Sequence, residues 1–80
     1  MSVRLHLETP LLESLPLSRC VSRRVWLKME ALQPCGSFKA RGIGFACQRY
    51  HEQGRTKFVS SSGGNAGLAV AYAGRRLRVP

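Results

Sequence analysis

Residues 34–42, with the sequence PCGSFKARG, place Lys39 directly after an aromatic residue at the predicted start of a helix. Its spacing puts Lys39 at the head of the apolar stripe of that helix, where an ammonium charge is costly unless it is lost or paired. A neutral lysine amine attacks aldehydes, and a helix N-terminus or a nearby cation such as Arg41 favours the neutral form. Schiff-base chemistry is one interpretation. The other, commoner for a first-turn lysine, is a side chain that extends to solvent.

A second candidate site is the glycine-rich stretch at residues 60–67, with the sequence SSSGGNAG. A loop of this kind between a strand and a helix directs several backbone N–H groups toward one point, which suits an anion. It matches neither the dinucleotide-binding nor the P-loop fingerprint. The alternative is a tight turn that needs glycine for its backbone angles, with Asn65 only capping the helix. Spacing alone favours neither interpretation.

The helix that carries Lys39 is predicted from Phe38 to about Gln53, with Ser37 as its N-cap and Gly54 as its stop signal. Its apolar stripe follows helical spacing. The residues of that stripe are Lys39, Ile43, Ala46, Cys47 and Tyr50.

The remaining elements indicate an α/β fold. Residues 5–19 are interrupted by Pro10 and Pro16, which predicts a short extended segment and a turn or brief helix. Residues 23–30 alternate as a strand with one buried face, and residues 56–62 predict a second strand. Residues 65–77 predict a helix that is apolar nearly all round. This order is typical of a parallel sheet with flanking helices.

The length of the chain is small for such an architecture. Eighty residues do not supply enough elements to surround an apolar helix. We therefore expect the chain to be the N-terminal piece of a larger protein. We also expect it to fold poorly alone, with apolar surface exposed on the alanine-rich helix.

Composition excludes several classes of function. The formal net charge of +9 invites a nucleic-acid interpretation, but the arginines are spread out and no helix-turn-helix or zinc-finger spacing accompanies them. A small basic nucleic-acid binder is therefore the least favoured hypothesis. Three scattered cysteines and two histidines predict neither a disulfide framework nor a metal site. Without a membrane-length apolar run or a secretory leader, we expect a cytoplasmic protein with no membrane association.

The two glycine-containing motifs together carry a specific resemblance. LQPCGSFKARG followed by SSSGGNAGLAVAYA closely resembles the pyridoxal-phosphate-dependent serine and threonine dehydratases, which are fold-type-II, tryptophan-synthase-like enzymes. ETPLLES and VWLKMEALQP resemble the segments that precede the lysine motif in the liver-type serine dehydratases and their serine-dehydratase-like relatives. The resemblance spans residues 7–80. It departs from the usual pattern at Gly63, where some members have alanine, and at Arg78, where glycine often ends the helix.

The resemblance implies a role for each motif residue. Lys39 matches the catalytic lysine to which pyridoxal 5'-phosphate is covalently attached. Phe38 matches the aromatic residue against one face of the cofactor ring, and Asn65 the residue that hydrogen-bonds the ring hydroxyl oxygen. The residues implied for binding the substrate carboxylate are Ser62, Gly63, Gly64 and Asn65. The loop that holds the cofactor phosphate in this family comes later than the residues of this chain.

The implied activity is an ammonia-lyase reaction on L-serine, and on L-threonine as a second substrate. The resemblance implies that residues 1–39 contribute to the cofactor domain and residues 40–80 begin the smaller α/β domain. Full-length relatives are expected to be homodimers acting on a small amino acid. The alternatives are a truncated non-catalytic fragment or another fold-type-II enzyme, such as threonine synthase or cysteine synthase.

Overall fold

The structure is a computed structural model that describes residues 4–80. Two long helices pack together, and a small antiparallel hairpin precedes them. In chain order the elements are β1 (Leu11–Glu13), α1 (Leu15–Val21), β2 (Trp26–Lys28), a short 3₁₀ helix (Glu30–Leu32), α2 (Lys39–Glu52) and α3 (Asn65–Leu77).

The hairpin pairs β1 with β2 in antiparallel register, with Leu12 opposite Leu27. Helix α1 joins the two strands, and Ser14 caps it by accepting a hydrogen bond from the Leu17 N–H at 3.3 Å. The short extended segment and brief helix predicted here are confirmed. The buried face predicted for the strand at residues 23–30 is formed only in part: Leu27 on that face is exposed, whereas Val25 and Met29 are half-buried. Among residues 4–80, no layer covers either face of this pair.

Helix α2 has nearly the predicted bounds. Gly54 follows it in the left-handed region at φ +86°, which is the conformation that a glycine stop signal provides. The predicted capping by Ser37 is confirmed: its hydroxyl accepts the N–H of Lys39 at 3.3 Å, and Phe38 between them already has helical angles of φ −63° and ψ −15°. The buried stripe, however, is rotated from the prediction. It consists of Ala40, Gly44 and Cys47.

Helix α3 has the bounds that its sequence predicts. Its buried positions are small residues, Ala69, Ala73 and Gly74, and the helix packs against α2. The stripe of α2 is not buried by α3 alone, because a Cβ atom on Gly44 would lie 3.4 Å from the Leu5 side chain. The core is the cluster of Leu5, Cys47 and Ala73, with partly buried apolar residues around it. These partly buried residues are Ile43, Phe58, Val70, Tyr72 and Leu77.

The outer surface of α3 remains open. Leu68 is 55% exposed, which confirms the expectation of apolar surface on this helix. The chain is also extended, with a radius of gyration of 15.8 Å. A compact domain of this length has a radius of gyration of about 12 Å. In residues 4–80, no helix combines the length and apolar character needed to cross a membrane.

The second predicted strand, at residues 56–62, is not formed in the structure. Val59 within it is 85% exposed. One backbone hydrogen bond links this segment to the chain that follows α3, from the Phe58 N–H to the Pro80 carbonyl at 2.8 Å. A strand requires a ladder of such bonds, and a single bond does not make one. The described residues therefore contain an antiparallel pair and no parallel sheet.

Arg78 provides a test of how α3 ends. It occupies the left-handed region at φ 58°, where an L-residue other than glycine is strained by about 1 kcal/mol. We predict that Arg78→Gly increases the helical ellipticity of the chain at a fixed temperature, measured by far-ultraviolet circular dichroism. Ser22→Gly, at φ 52° after α1, is the matched control and should affect the shorter helix only. A loss of ellipticity in Arg78→Gly would contradict this account.

Candidate active site

Lys39 is the first residue of α2 and is half-buried, less buried than its predicted position on the apolar stripe implied. Its ammonium nitrogen lies 5.6 Å from the centroid of the Phe38 ring. Within residues 4–80, the Lys39 side chain has no hydrogen bond and no ion pair. Lys28, by contrast, donates a hydrogen bond to the Thr9 carbonyl. Of these two lysines, Lys39 is the one whose amine lies beside an aromatic ring and has no polar partner.

Phe38 presents its ring to solvent. The residue is 61% exposed although it directly precedes a helix that packs against the core. An exposed aromatic face next to an amine can cover one side of a planar ligand. Phe38 and Lys39, predicted to act together, are therefore adjacent in space as well as in sequence.

The second motif forms an exposed, internally hydrogen-bonded loop. The Ser60 hydroxyl accepts the Ser62 N–H at 3.2 Å, and the Ser62 hydroxyl accepts the Gly64 N–H at 3.1 Å. Asn65 is the first residue of α3, and its side chain does not cap the helix. The capping alternative for Asn65 is therefore wrong, because Gly64 holds the cap position.

Gly67 brings this loop against the first turn of α3. A Cβ atom on Gly67 would lie 2.2 Å from the Ser62 carbonyl oxygen, a distance that no side chain tolerates. A Cβ atom on Gly63 would meet nothing within 4 Å, so the alanine of some dehydratases fits at this position. Gly67 is part of the sequence pattern GGNAG, but only the folded loop shows why this position requires glycine.

The two motifs stand at the N-termini of adjacent packed helices. Within residues 4–80, no hydrogen bond or ion pair joins Phe38 or Lys39 to the loop of Ser62, Gly63 and Gly64. The structure therefore brings together the members of each motif and leaves the two motifs unconnected.

A polar cluster that the sequence did not reveal lies just before Lys39. The Glu30 carboxylate accepts hydrogen bonds from the side chains of Thr9, Gln33 and Arg41. The Gln33 amide also pairs with both backbone groups of Leu7, at 2.8 Å for each bond. These contacts join the N-terminal segment, the loop before α2 and α2 itself. Their partners are far apart in sequence, so no local pattern indicates them.

The electrostatics of this cluster centre on Glu30. The hydrogen bond from Arg41 is the largest cause that lowers the pKa of Glu30 from 4.5 to about 2, and the bond from Thr9 adds to it. Glu30 in turn raises the pKa of Arg41. Both groups are consequently charged throughout the neutral range. In the core, burial raises the pKa of the Cys47 thiol. No group of three or more His, Cys, Asp or Glu side chains suitable for a metal ion occurs between residues 4 and 80.

Comparison with known proteins gives a consistent result. The sequence model of a family described as pyridoxal-phosphate dependent enzyme matches residues 4–80. The chain is 54% identical over 76 residues to human L-serine dehydratase/L-threonine deaminase, covering 95% of this chain and 23% of the relative. It is 55% identical over 75 residues to human serine dehydratase-like protein, covering 94% of this chain and 23% of the relative.

A solved structure is similar as well. A fungal L-serine ammonia-lyase from Rhizomucor miehei superposes with a TM-score of 0.83 at 47% sequence identity. The match covers 94% of this chain and 24% of the fungal chain. This chain therefore spans about a quarter of the length of the relatives that it matches.

The close approach of Gly67 to the Ser62 carbonyl can be tested by substitution, with Gly63 as the position for comparison. Gly67→Ala should displace the loop from α3, because the new Cβ atom overlaps the Ser62 carbonyl, at a cost of about 1–3 kcal/mol. The measurement is the change in the amide NMR shifts of Ser62 and Gly64. Gly63→Ala is the matched control and should leave these shifts nearly unchanged. Equal effects from both variants would show that the loop does not lie against α3 in solution.

The lowered pKa of Glu30 predicts how the stability of the chain depends on pH. Because the pKa of Glu30 is lowered to about 2 from 4.5, its stabilising contribution is complete above pH 4.5 and is lost as pH falls through about 2. A carbon-13 NMR titration of the Glu30 carboxyl should give a midpoint close to 2. Arg41→Met removes the principal cause of the shift and should move the midpoint upward toward 4.5. An unchanged midpoint would refute the assignment to Arg41.

Proposed function

The chain belongs to the pyridoxal-phosphate-dependent enzyme family, and from this membership we propose that it carries the reactive lysine of an L-serine ammonia-lyase. The reaction would convert L-serine, and L-threonine as a second substrate, to a 2-oxo acid and ammonia. The observation that carries the proposal is the Lys39 amine, beside an exposed aromatic ring and without a polar partner in residues 4–80. Relatives of about half-identical sequence bear the names L-serine dehydratase and serine dehydratase-like.

The described residues fit an aldehyde cofactor. Lys39 offers an amine that need not leave an ion pair in order to react, and Phe38 offers a ring face to one side of a pyridine. Asn65 would hydrogen-bond the ring hydroxyl oxygen from the start of α3. Lys39, Phe38 and Asn65 are thus the residues of this chain proposed to hold pyridoxal 5'-phosphate.

The substrate carboxylate is proposed to bind at the loop before α3. Backbone N–H groups at the N-terminus of a helix attract an anion, and the glycines allow a ligand to approach the backbone. The proposed residues are Ser62, Gly63, Gly64 and Asn65. In the structure this loop is exposed and keeps its shape through its own serine hydroxyl groups.

The proposed chemistry divides between the cofactor and the protein. When bound, pyridoxal phosphate acts as an electron sink for the substrate Cα. The Lys39 amine would take the proton from the substrate Cα. The loop before α3 would hold the substrate carboxylate so that the Cα–H bond faces Lys39. The β-hydroxyl would then leave as water by taking up the proton that Lys39 removed, and hydrolysis of the product would give the 2-oxo acid and ammonia.

The finer architecture is part of the same proposal. In the full-length enzyme, residues 56–62 and the chain from Val79 onward would be neighbouring parallel strands joined by α3. The hydrogen bond from Phe58 to Pro80 supports this pairing. Residues 1–39 would contribute to the cofactor domain, and residues 40–80 would begin the smaller α/β domain. A cytoplasmic homodimer is the proposed state of the full-length enzyme.

Cofactor attachment tests the proposal directly. The chain is incubated with pyridoxal phosphate, reduced with borohydride and analysed by peptide mass spectrometry. We expect label on Lys39 in clear excess over Lys28 and Lys57. Lys57 is the exposed control, whereas Lys28 is engaged with Thr9. Equal labelling of the three lysines would support a non-catalytic fragment that retains the motif without the site.

Activity can be tested in a chimera. The 80 residues replace the matching segment of human L-serine dehydratase/L-threonine deaminase, to which they are 54% identical over 76 residues. We expect the chimera to release a 2-oxo acid from L-serine, and Lys39→Ala to lower kcat at least about 100-fold. Lys57→Ala is the control and should retain activity. Turnover of a β-replacement substrate in place of L-serine would favour a cysteine-synthase-like function.

A further inference from the structure

The amide of Gln33 fixes the segment that leads into Lys39. Gln33 is 3% exposed, and its side chain exchanges two hydrogen bonds of 2.8 Å with the backbone of Leu7. Its own backbone is also bonded, since its N–H reaches the Glu30 carbonyl and its carbonyl accepts the Gly36 N–H. Breaking the bond to the Gln33 amide oxygen would leave a buried polar atom unpaired. The chain before α2 is therefore held at one defined point.

Arg41 extends this anchor into α2. It lies two residues after Lys39, and residues separated by two positions point about 200° apart around a helix. Arg41 bonds Glu30 through its Nε atom and, at 3.4 Å, through a second guanidinium nitrogen. A two-point contact on one side of the first turn limits rotation of the helix about its axis. Lys39, on the opposite side, takes its direction from that contact.

The start of α2 is also held by Ser37, whose hydroxyl accepts the Lys39 N–H at 3.3 Å. This bond satisfies a backbone N–H, whereas the contact between Glu30 and Arg41 holds a side chain on one side of the helix. Glu30 also receives the Thr9 hydroxyl, and Thr9 is itself 7% exposed. The side chains of Thr9 and Gln33 therefore fix the Glu30 carboxylate independently of its contact with Arg41.

We propose that Glu30 and Arg41 are positioning residues that set the rotation of the first turn of α2 and so aim the Lys39 amine. This inference rests on the proposed function, in which Lys39 is the reactive group. Neither side chain contacts the Lys39 amine, so both act through the helix backbone.

The test uses the full 80-residue chain and the ratio of pyridoxal-phosphate labelling at Lys39 to that at Lys57. Glu30→Gln should lower this ratio roughly tenfold, because a misdirected amine reacts more slowly, while labelling of Lys57 is unchanged. The matched control is Glu13→Gln. Glu13 pairs with Arg24 at 3.1 Å, also eleven residues apart in sequence, but in the hairpin. An equal effect of the two variants would overturn the proposal.

A pair of substitutions at Arg41 distinguishes positioning from stability. Arg41→Met should lower the ratio as Glu30→Gln does. Arg41→Lys keeps the charge but loses the two-point contact, and we expect it to recover part of the lost ratio. No recovery, or a parallel change in labelling at Lys57, would indicate general unfolding and would contradict a positioning role.

Hydrogen exchange gives a readout that does not depend on the reactivity of Lys39. The amide of Ile43 pairs with the Lys39 carbonyl in α2. Its exchange should become roughly tenfold faster in Glu30→Gln, as expected for loss of one charge-assisted hydrogen bond, and should not change in Glu13→Gln. If the unaltered chain labels all lysines equally, the proposed function fails. Exchange at Ile43 then decides separately whether Glu30 holds this turn.

Discussion

Burial of polar groups in the segment that precedes α2 is the constraint on which this structure depends. Gln33 and Thr9 are almost fully enclosed, and an unpaired polar atom at either position would be strongly destabilising. No buried side-chain nitrogen or oxygen in the described part of the chain lacks a hydrogen-bond partner. This requirement defines the path of the chain before α2 more narrowly than apolar contacts do. The apolar core stabilises the packing of α2 against α3, and the polar cluster fixes the path of the chain that leads into α2.

Local signals in the sequence predicted the helices well. The start and end of α3 follow from its composition. Gly54, predicted to end α2, has the left-handed backbone conformation expected of a glycine stop signal. The rotation of α2 could not be predicted in the same way. Its buried stripe depends on partners distant in sequence, since Gly44 lies against Leu5 of the N-terminal segment.

Features that depend on distant partners were not predictable. A strand exists only where a neighbour bonds to it, and residues 56–62 have one such bond in the described structure. Glu30 meets Thr9 across 21 residues, and Gln33 meets Leu7 across 26. The site motifs around Lys39 and Asn65 were predicted because the resemblance identifies them residue by residue. Their assigned roles remain proposals, and the cluster that precedes Lys39 emerged only from the fold.

The single hydrogen bond between Phe58 and Pro80 has a consequence for how the chain behaves in concentrated solution. It leaves the rest of this extended segment with an open edge, next to a Val59 side chain that is 85% exposed. Such an edge is a template to which a second copy can add as a strand. Self-association through this edge therefore competes with intramolecular folding, and the balance shifts toward aggregates as the chain concentration rises. Dilute conditions and low temperature favour the monomer, since both reduce the hydrophobic drive to associate.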